Sequence, residues 1–291
     1  VHVRTAAAEH AAASLPEPPP FGEAAALLTD RDFTLVRHLI AEYAGIKLSA
    51  QKRNMVYNRL LRRLRAHGLP TFKQYLGLVQ ADNSTEREAF VNALTTNLTA
   101  FFREPHHFEL LGERAQARAG MRLAPMRIWS SACSTGEEAW SIAMMLREAG
   151  CAGDIQATDI DTDVLQTAAA GVYRRERASR LEPERLRKHF LRGTGPNEGW
   201  VSMRPELRSM VTFSQFNLQS AVWPPQERFD AIFCRNVVIY FDRESQRRLL
   251  ARFADMLRPG GLLIVGHSES FPAAHPGFRS CGRTAYERVQ G

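Results

Sequence analysis

The chain has 291 residues, 44% of them hydrophobic and 24% charged, which is enough to bury a full core spread over two domains. No apolar run reaches the length of a membrane span and no signal-peptide core follows the N-terminus, so the sequence predicts a soluble, cytoplasmic protein without membrane insertion. Cys133, Cys151, Cys234 and Cys281 show no C-x-x-C spacing, which argues against a cysteine zinc site or a disulfide framework, while a net charge of +7 points to an acidic partner.

Residues 1–27 are rich in Ala and Pro and read as a disordered tail. From 28 to 96 the pattern is helical throughout and predicts a small all-helical domain. Asp30 is placed to cap a helix whose apolar face is Phe33, Val36, Leu39, Ile40 and Tyr43, with Gly45 past its end. Ser49 opens a second helix ended by Gly68, Thr71 a third, and Thr85 with Glu88 has the spacing of a capping box for a fourth.

The second helix carries Lys52, Arg53, Arg59, Arg62, Arg63 and Arg65. Met55, Val56, Leu60, Leu61 and Leu64 recur at helical spacing, which predicts a wet face holding Arg59, Arg62 and Arg63. Hardly an acidic residue lies between positions 50 and 70 to neutralise that face. It reads either as an ordinary solvated surface or as a dock for an acidic helix or nucleic acid.

Helical periodicity fails from Thr95 to Glu104, where polar residues flank Phe101 and Phe102, as suits a loop lining a half-apolar pocket. Pro105 restarts a helix. His106 and His107 have no third ligand at a recognisable spacing, so a metal is not expected.

Residues 126–130 then form a buried strand, Ser131 to Gly136 a run of small residues, and Glu137 opens a helix. A strand turning through small residues into a helix is how nucleotide-like cofactors are held. Glu137 and Glu138 at the helix start would repel a pyrophosphate, and the pattern G-x-G-x-x-G is missing. About twenty residues on, a second strand closes with Asp159, placed to accept hydrogen bonds from ribose hydroxyls, and Asp161 caps the next helix. Ribose recognition without a phosphate site points to S-adenosylmethionine.

Further along, a helix from Pro183, a turn at Gly193–Gly195, and strands at 200–203 and 211–215 interrupt the strand–helix alternation and read as an inserted β-subdomain over 174–215. The strand 229–234, the helix capped by Asp242 and the strand 262–266 resume it, with Arg258 to Gly261 as a turn. The alternation predicts an α/β fold with a mostly parallel sheet whose C-terminal strand ends carry Ser134, Asp159, Arg235 and Asn236.

The runs LTTNLTAFFRE, ACSTGEE, TDIDTDVL, FDAIFCRNVVIYFD and LRPGGLLIVGHSE, in that order behind a basic helical domain, resemble the CheR family of chemotaxis receptor glutamate O-methyltransferases. The resemblance covers the chain from about residue 28 onward. It implies a helical N-terminal domain before a Rossmann-like methyltransferase domain, here 97–291, bearing a small antiparallel β insertion. It also implies that Asn97, Thr99, Arg103, Glu138, Asp159, Asn217, Leu218, Arg235 and Asn236 contact S-adenosylmethionine or shape its pocket. Ala139 departs from the family pattern, where a proline is common.

The implied reaction moves a methyl group to glutamate carboxylates of membrane chemoreceptors, leaving S-adenosylhomocysteine. A glutamate side chain, with an ordinary pKa of about 4.3, is already an anionic nucleophile at neutral pH, so no general base is needed. Arg103 and Tyr240 are the candidates for orienting carboxylate and methyl group. The expected partner is the acidic helical bundle of the receptors, met by Arg59, Arg62 and Arg63, and the enzyme is expected to act as a monomer without metal or nucleic acid. Some members of the family also hold a receptor C-terminal peptide on the insertion, whose Gly-containing turn resembles Gly193, Thr194 and Gly195. A nucleic-acid methyltransferase, a catalytically silent binding module and, least of all, a nicotinamide dehydrogenase remain as alternatives.

Overall fold

The computed structural model describes residues 26–82, 84–121, 123–223, 228–269 and 275–289. Nearly all of the Ala/Pro-rich segment, expected to be disordered, lies outside them.

Four helices build the first domain: α1 (Asp30–Ala44), α2 (Arg53–Ala66), α3 (Phe72–Gln80) and α4 (Glu86–Leu94). Their apolar stripes meet in one core around Val36, Ile40, Val56, Leu60, Tyr75, Leu76 and Phe90. Two of the expected caps are corrected. Thr29, not Asp30, caps α1, in a reciprocal box with Asp32. Thr85 itself sits in helical conformation and makes no side-chain cap for α4.

The chain continues through α5 (His106–Gly120), β1 (Met126–Ser130), α6 (Glu137–Glu148), β2 (Gly153–Asp159) and α7 (Thr162–Ala170). Then come β3 (Val172–Arg174), α8 (Pro183–His189), β4 (Phe190–Arg192), β5 (Trp200–Met203), α9 (Pro205–Arg208) and β6 (Val211–Gln215). The last elements are β7 (Phe229–Cys234), α10 (Arg243–Met256), β8 (Leu257–Val265), β9 (Phe278–Gly282) and β10 (Ala285–Arg288). Among the described residues the main sheet has the order β6-β2-β1-β7-β8-β10-β9, parallel from β6 to β8 and antiparallel at β10 and β9. Its central strands are buried on both faces. Phe233, Ile264, Trp140 and Ile142 pack on one side, and Trp129, Ile232, Phe253 and Leu263 on the other.

The second sheet is the insertion, with β5 between β3 and β4. The expected boundaries 174–215 shift in consequence. The insertion begins at Val172, and Val211–Gln215 pairs with β2 as the edge of the main sheet, because its register continues the parallel stack. Arg258 to Gly261, expected as a turn, runs inside β8, with the irregularity absorbed by a register shift against β7 and by Gly260 at φ 76°.

Both domains face the C-terminal ends of β2, β1 and β7. Asn92 Nδ2 donates to Thr162 Oγ1 at 2.9 Å, Thr95 Oγ1 donates to Asp161 Oδ2 at 2.6 Å, and the Lys47 N–H donates to the Tyr240 carbonyl at 2.9 Å. The helical domain is thereby closed over the strand ends.

Candidate active site

The turn between β1 and α6 is shaped by close packing. Gly136 has φ 93°, and a Cβ there would lie 2.8 Å from Ala168 Cβ and 2.9 Å from its Cα, so α7 can press on the turn only if residue 136 is glycine. Ser134, also at positive φ, directs its N–H to Asp159 Oδ2 at 2.8 Å. Asp159 Oδ1 accepts from the Asp161 N–H at 3.1 Å. Burial pushes the Asp159 carboxyl above its ordinary value and the charge of Asp161 adds to this, while these N–H groups oppose it.

A cleft of about 1210 Å³, open mouth included, lies between the domains at these strand ends. Asn97, Thr99, Arg103, Glu138, Asp159, Asn217, Leu218, Arg235, Asn236 and Tyr240 all line it, so the cofactor and orienting residues expected from the sequence are brought together. Their side chains are not equally available to a ligand. Glu138 accepts from Ser130 Oγ at 2.7 Å and from Arg235 Nη1 at 2.9 Å, so its charge is balanced within the protein. Arg235, 6% exposed, also donates to the Arg103 carbonyl and stands 3.5 Å from Glu104. It therefore ties the loop of Phe102 and Glu104, both at positive φ, to α6. Asn97 Nδ2 donates to Asp161 at 2.7 Å. Asn217 Nδ2 donates to the Tyr43 carbonyl at 2.8 Å, joining the domains. Arg103 Nη1 donates to the Leu98 carbonyl at 2.8 Å, and Tyr240 is half-buried.

Two expectations are corrected here. Glu137 does not face the ligand, since it is fully buried against Thr135 and Arg177 of the insertion. Of the three arginines assigned to a wet face, only Arg62 is exposed. Arg59 donates to the carbonyls of Ala93 and Thr95, satisfying the C-terminal end of α4. Arg63 forms a fork on Glu86, at 2.8 and 2.6 Å, to which Tyr75 and His67 also bond. Burial favours the neutral Glu86 acid, but these bonds outweigh it and its pKa is lowered. The neutralising carboxylate missing from α2 comes from α4, which periodicity within one helix could not reveal. The exposed charges left on this face are Lys52, Arg62 and Arg65.

Sequence reasoning also missed part of the wall. Ala44, Ile46, Leu48, Lys52 and Met55 of the helical domain line the cleft; the helical spacing of Met55 reads as core, and Ile46 and Leu48 fall between helices, where periodicity carries no signal. Glu104, His106 and His107 each bring a ligand atom within 4.8 Å of the others. The Arg235 guanidinium already balances Glu104 there, and burial with that same charge pushes His107 down to about 4.

Residues 97–286 match the family described as CheR methyltransferase, SAM binding domain, and residues 31–95 match CheR methyltransferase, all-alpha domain. The chain is 51% identical to a chemotaxis protein methyltransferase of Klebsiella aerogenes over 264 residues, covering 89% of this chain and 90% of the relative. It is 49% identical to that of Escherichia coli, covering 89% and 91%. To chemotaxis protein methyltransferase 2 of Pseudomonas aeruginosa it is 48% identical over 272 residues, covering 92% and 96%.

Proposed function

From the premise that this chain belongs to the CheR methyltransferase family, we propose that it methylates glutamate side chains of chemoreceptors, giving glutamyl methyl esters. It is an S-adenosylmethionine-dependent methyltransferase of chemotaxis. The observation that supports the finer reading is the cleft itself, which Asp159, Arg103 and Tyr240 all line.

The residues present fit the cofactor. Each Asp159 oxygen accepts one backbone N–H and retains acceptor capacity suited to a ribose diol. Asn97, Thr99, Leu218 and Asn236 would line the remainder, while Glu138, Asn217 and Arg235 hold the walls. S-adenosylmethionine, when bound, supplies an electrophilic methyl group on a sulfonium.

The chain's own part is to position and to dry. The Arg103 guanidinium lies in the cleft wall and would hold the incoming carboxylate by its charge. Tyr240, on the loop after β7, would orient it from the other side. The substrate carboxylate is ionised without help, so neither residue serves as a base. Charge is neutralised as the methyl moves, so excluding water beneath Ile46, Leu48 and Met55 lowers the barrier relative to bulk solvent.

The acidic receptor bundle would approach the side bearing Lys52, Arg62 and Arg65, and the enzyme would work in the cytoplasm. No helix among the described residues is long and apolar enough to cross a membrane. The three-stranded insertion has β3 and β4 as edges, and an edge strand can accept an extended receptor tail by backbone pairing. Titrating tail peptides against the protein and a form with the Gly193–Gly195 turn shortened tests that role, and equal binding by both removes it.

The decisive assay incubates the protein with radiolabelled S-adenosylmethionine and receptor-bearing membranes. Base-labile label released as methanol from the receptor is expected, and base-stable label or label on nucleic acid would refute the reading.

A further inference from the structure

Glu269 is 5% exposed, lies beyond β8 and is not among the residues assigned to the cofactor. Its carboxylate accepts four backbone N–H groups. Oε1 takes Val237 at 2.8 Å and Val238 at 2.6 Å, and Oε2 takes Asn236 at 2.8 Å and Gly266 at 2.7 Å. Three of these donors belong to the loop that leaves β7, where ladder pairing has ended and the backbone has no strand partner. That loop carries Arg235 and Tyr240, and Asn236 holds φ 59°. Deleting the carboxylate would orphan buried donors along a segment that lines the cleft.

We propose that Glu269 is a positioning residue for methyl transfer, fixing the backbone that presents Arg235, Asn236 and Tyr240 to the cleft. A second observation bears on the same joint. A Cβ at Gly266, just past β8, would lie 2.4 Å from Asn236 Nδ2, 3.0 Å from the Asn236 nitrogen and 3.0 Å from Glu269 Oε2, so a side chain there would press on Asn236 and on the Glu269 carboxylate together. Two ionised oxygens are needed as well. A glutamine would turn an N–H₂ toward two of the four donors, which is repulsive and leaves them unpaired. The loop is held from its far end too, since the Tyr240 carbonyl accepts the Lys47 N–H of the helical domain. Glu269 thus anchors the near end of a segment whose far end touches the lid.

This inference rests on the methyltransferase reading, and the experiment separates the two. Glu269→Gln and wild type are compared for kcat and for KM of the receptor at saturating S-adenosylmethionine, and for amide hydrogen exchange without substrates. The expected result is a kcat at least tenfold lower with KM within threefold. Exchange should quicken at least tenfold at Asn236, Val237, Val238 and Gly266 while the amides of β1 and β2 keep their protection. A kcat within twofold of wild type overturns the assignment, as does a kcat loss in which β1 and β2 lose protection equally. If Glu269→Gln does not fold, Gly266→Ala decides, with the same local signature expected and an unchanged kcat overturning the proposal. Absence of wild-type methylation would refute the proposed function instead, and the exchange measurement, which needs no turnover, still tests the anchor.

Discussion

Asp159 offers the sharpest test of the cofactor site. Its two oxygens already accept the Ser134 and Asp161 N–H groups at 2.8 and 3.1 Å, and each has one further lone-pair site for a ribose hydroxyl. Asp159→Asn keeps the volume and one acceptor, but removes the charge and sets an N–H₂ against a backbone donor. Hydrogen bonds to a charged group are worth about 1.5–3 kcal/mol, so S-adenosylhomocysteine should bind roughly 10- to 150-fold more weakly. Calorimetric titration of S-adenosylhomocysteine into wild type and variant measures this. The pH dependence has a definite sign. The ionised form accepts the hydroxyls, and burial raises the Asp159 pKa, so affinity should fall on acidification and begin to do so above the range of an ordinary Asp. A folded Asp159→Asn variant whose affinity lies within twofold of wild type would refute the reasoning.

Arg103→Ala should slow the chemical step at saturating cofactor, while the wild-type single-turnover rate stays flat above about pH 6; a rate rising tenfold per pH unit between about 6 and 8 would mean that a general base exists. Arg62→Glu should impair receptor methylation without lowering the melting temperature, whereas Arg63→Glu should cost about 3 kcal/mol in denaturant unfolding, because it removes the fork on the buried Glu86 carboxylate and sets a second negative charge beside it. Glu148→Gln should loosen the insertion from α6. Burial opposes the Glu148 charge, but the bonds from His189 and Arg185 pull its pKa down to about 2, so the stability it adds is present above its ordinary value of 4.5 and is lost as pH falls through about 2. Thermal melts of wild type and variant should accordingly differ at neutral pH and converge in strong acid.

The wall of the candidate site is legible because its residues fall at places that chain order defines. Asp159 ends a strand, Arg235 and Asn236 follow one, and Glu138 lies in the first turn of a helix, so the parallel alternation alone carries them to one edge of the sheet. The basic helix was misread for the complementary reason. Whether Arg63 is free depends on Glu86, 23 positions away on another helix, and no periodicity within α2 reports it. Val211–Gln215 was assigned to the insertion because half-buried strands look alike in sequence, and only pairing with β2 distinguishes an edge of the main sheet. Glu269 carries no signal in the sequence, since a carboxylate that serves backbone donors has no side-chain partner to betray it.

These corrections change what the helical domain does. Arg59 and Arg63 serve its own framework, Arg59 on the end of α4 and Arg63 on Glu86, rather than an outward surface. Its apolar residues Ile46, Leu48 and Met55 instead roof the cleft, and backbone groups of Tyr43 and Lys47 bond to Asn217 and Tyr240 beneath them. Below this roof the Asp159 and Arg235 joints are tied to strand ends, Asp159 through the Ser134 N–H and Arg235 through Glu138. The Tyr43–Lys47 segment and the loop after β7 that bonds to Glu269 therefore meet at one seam along the cleft, so a change at either is felt by both domains.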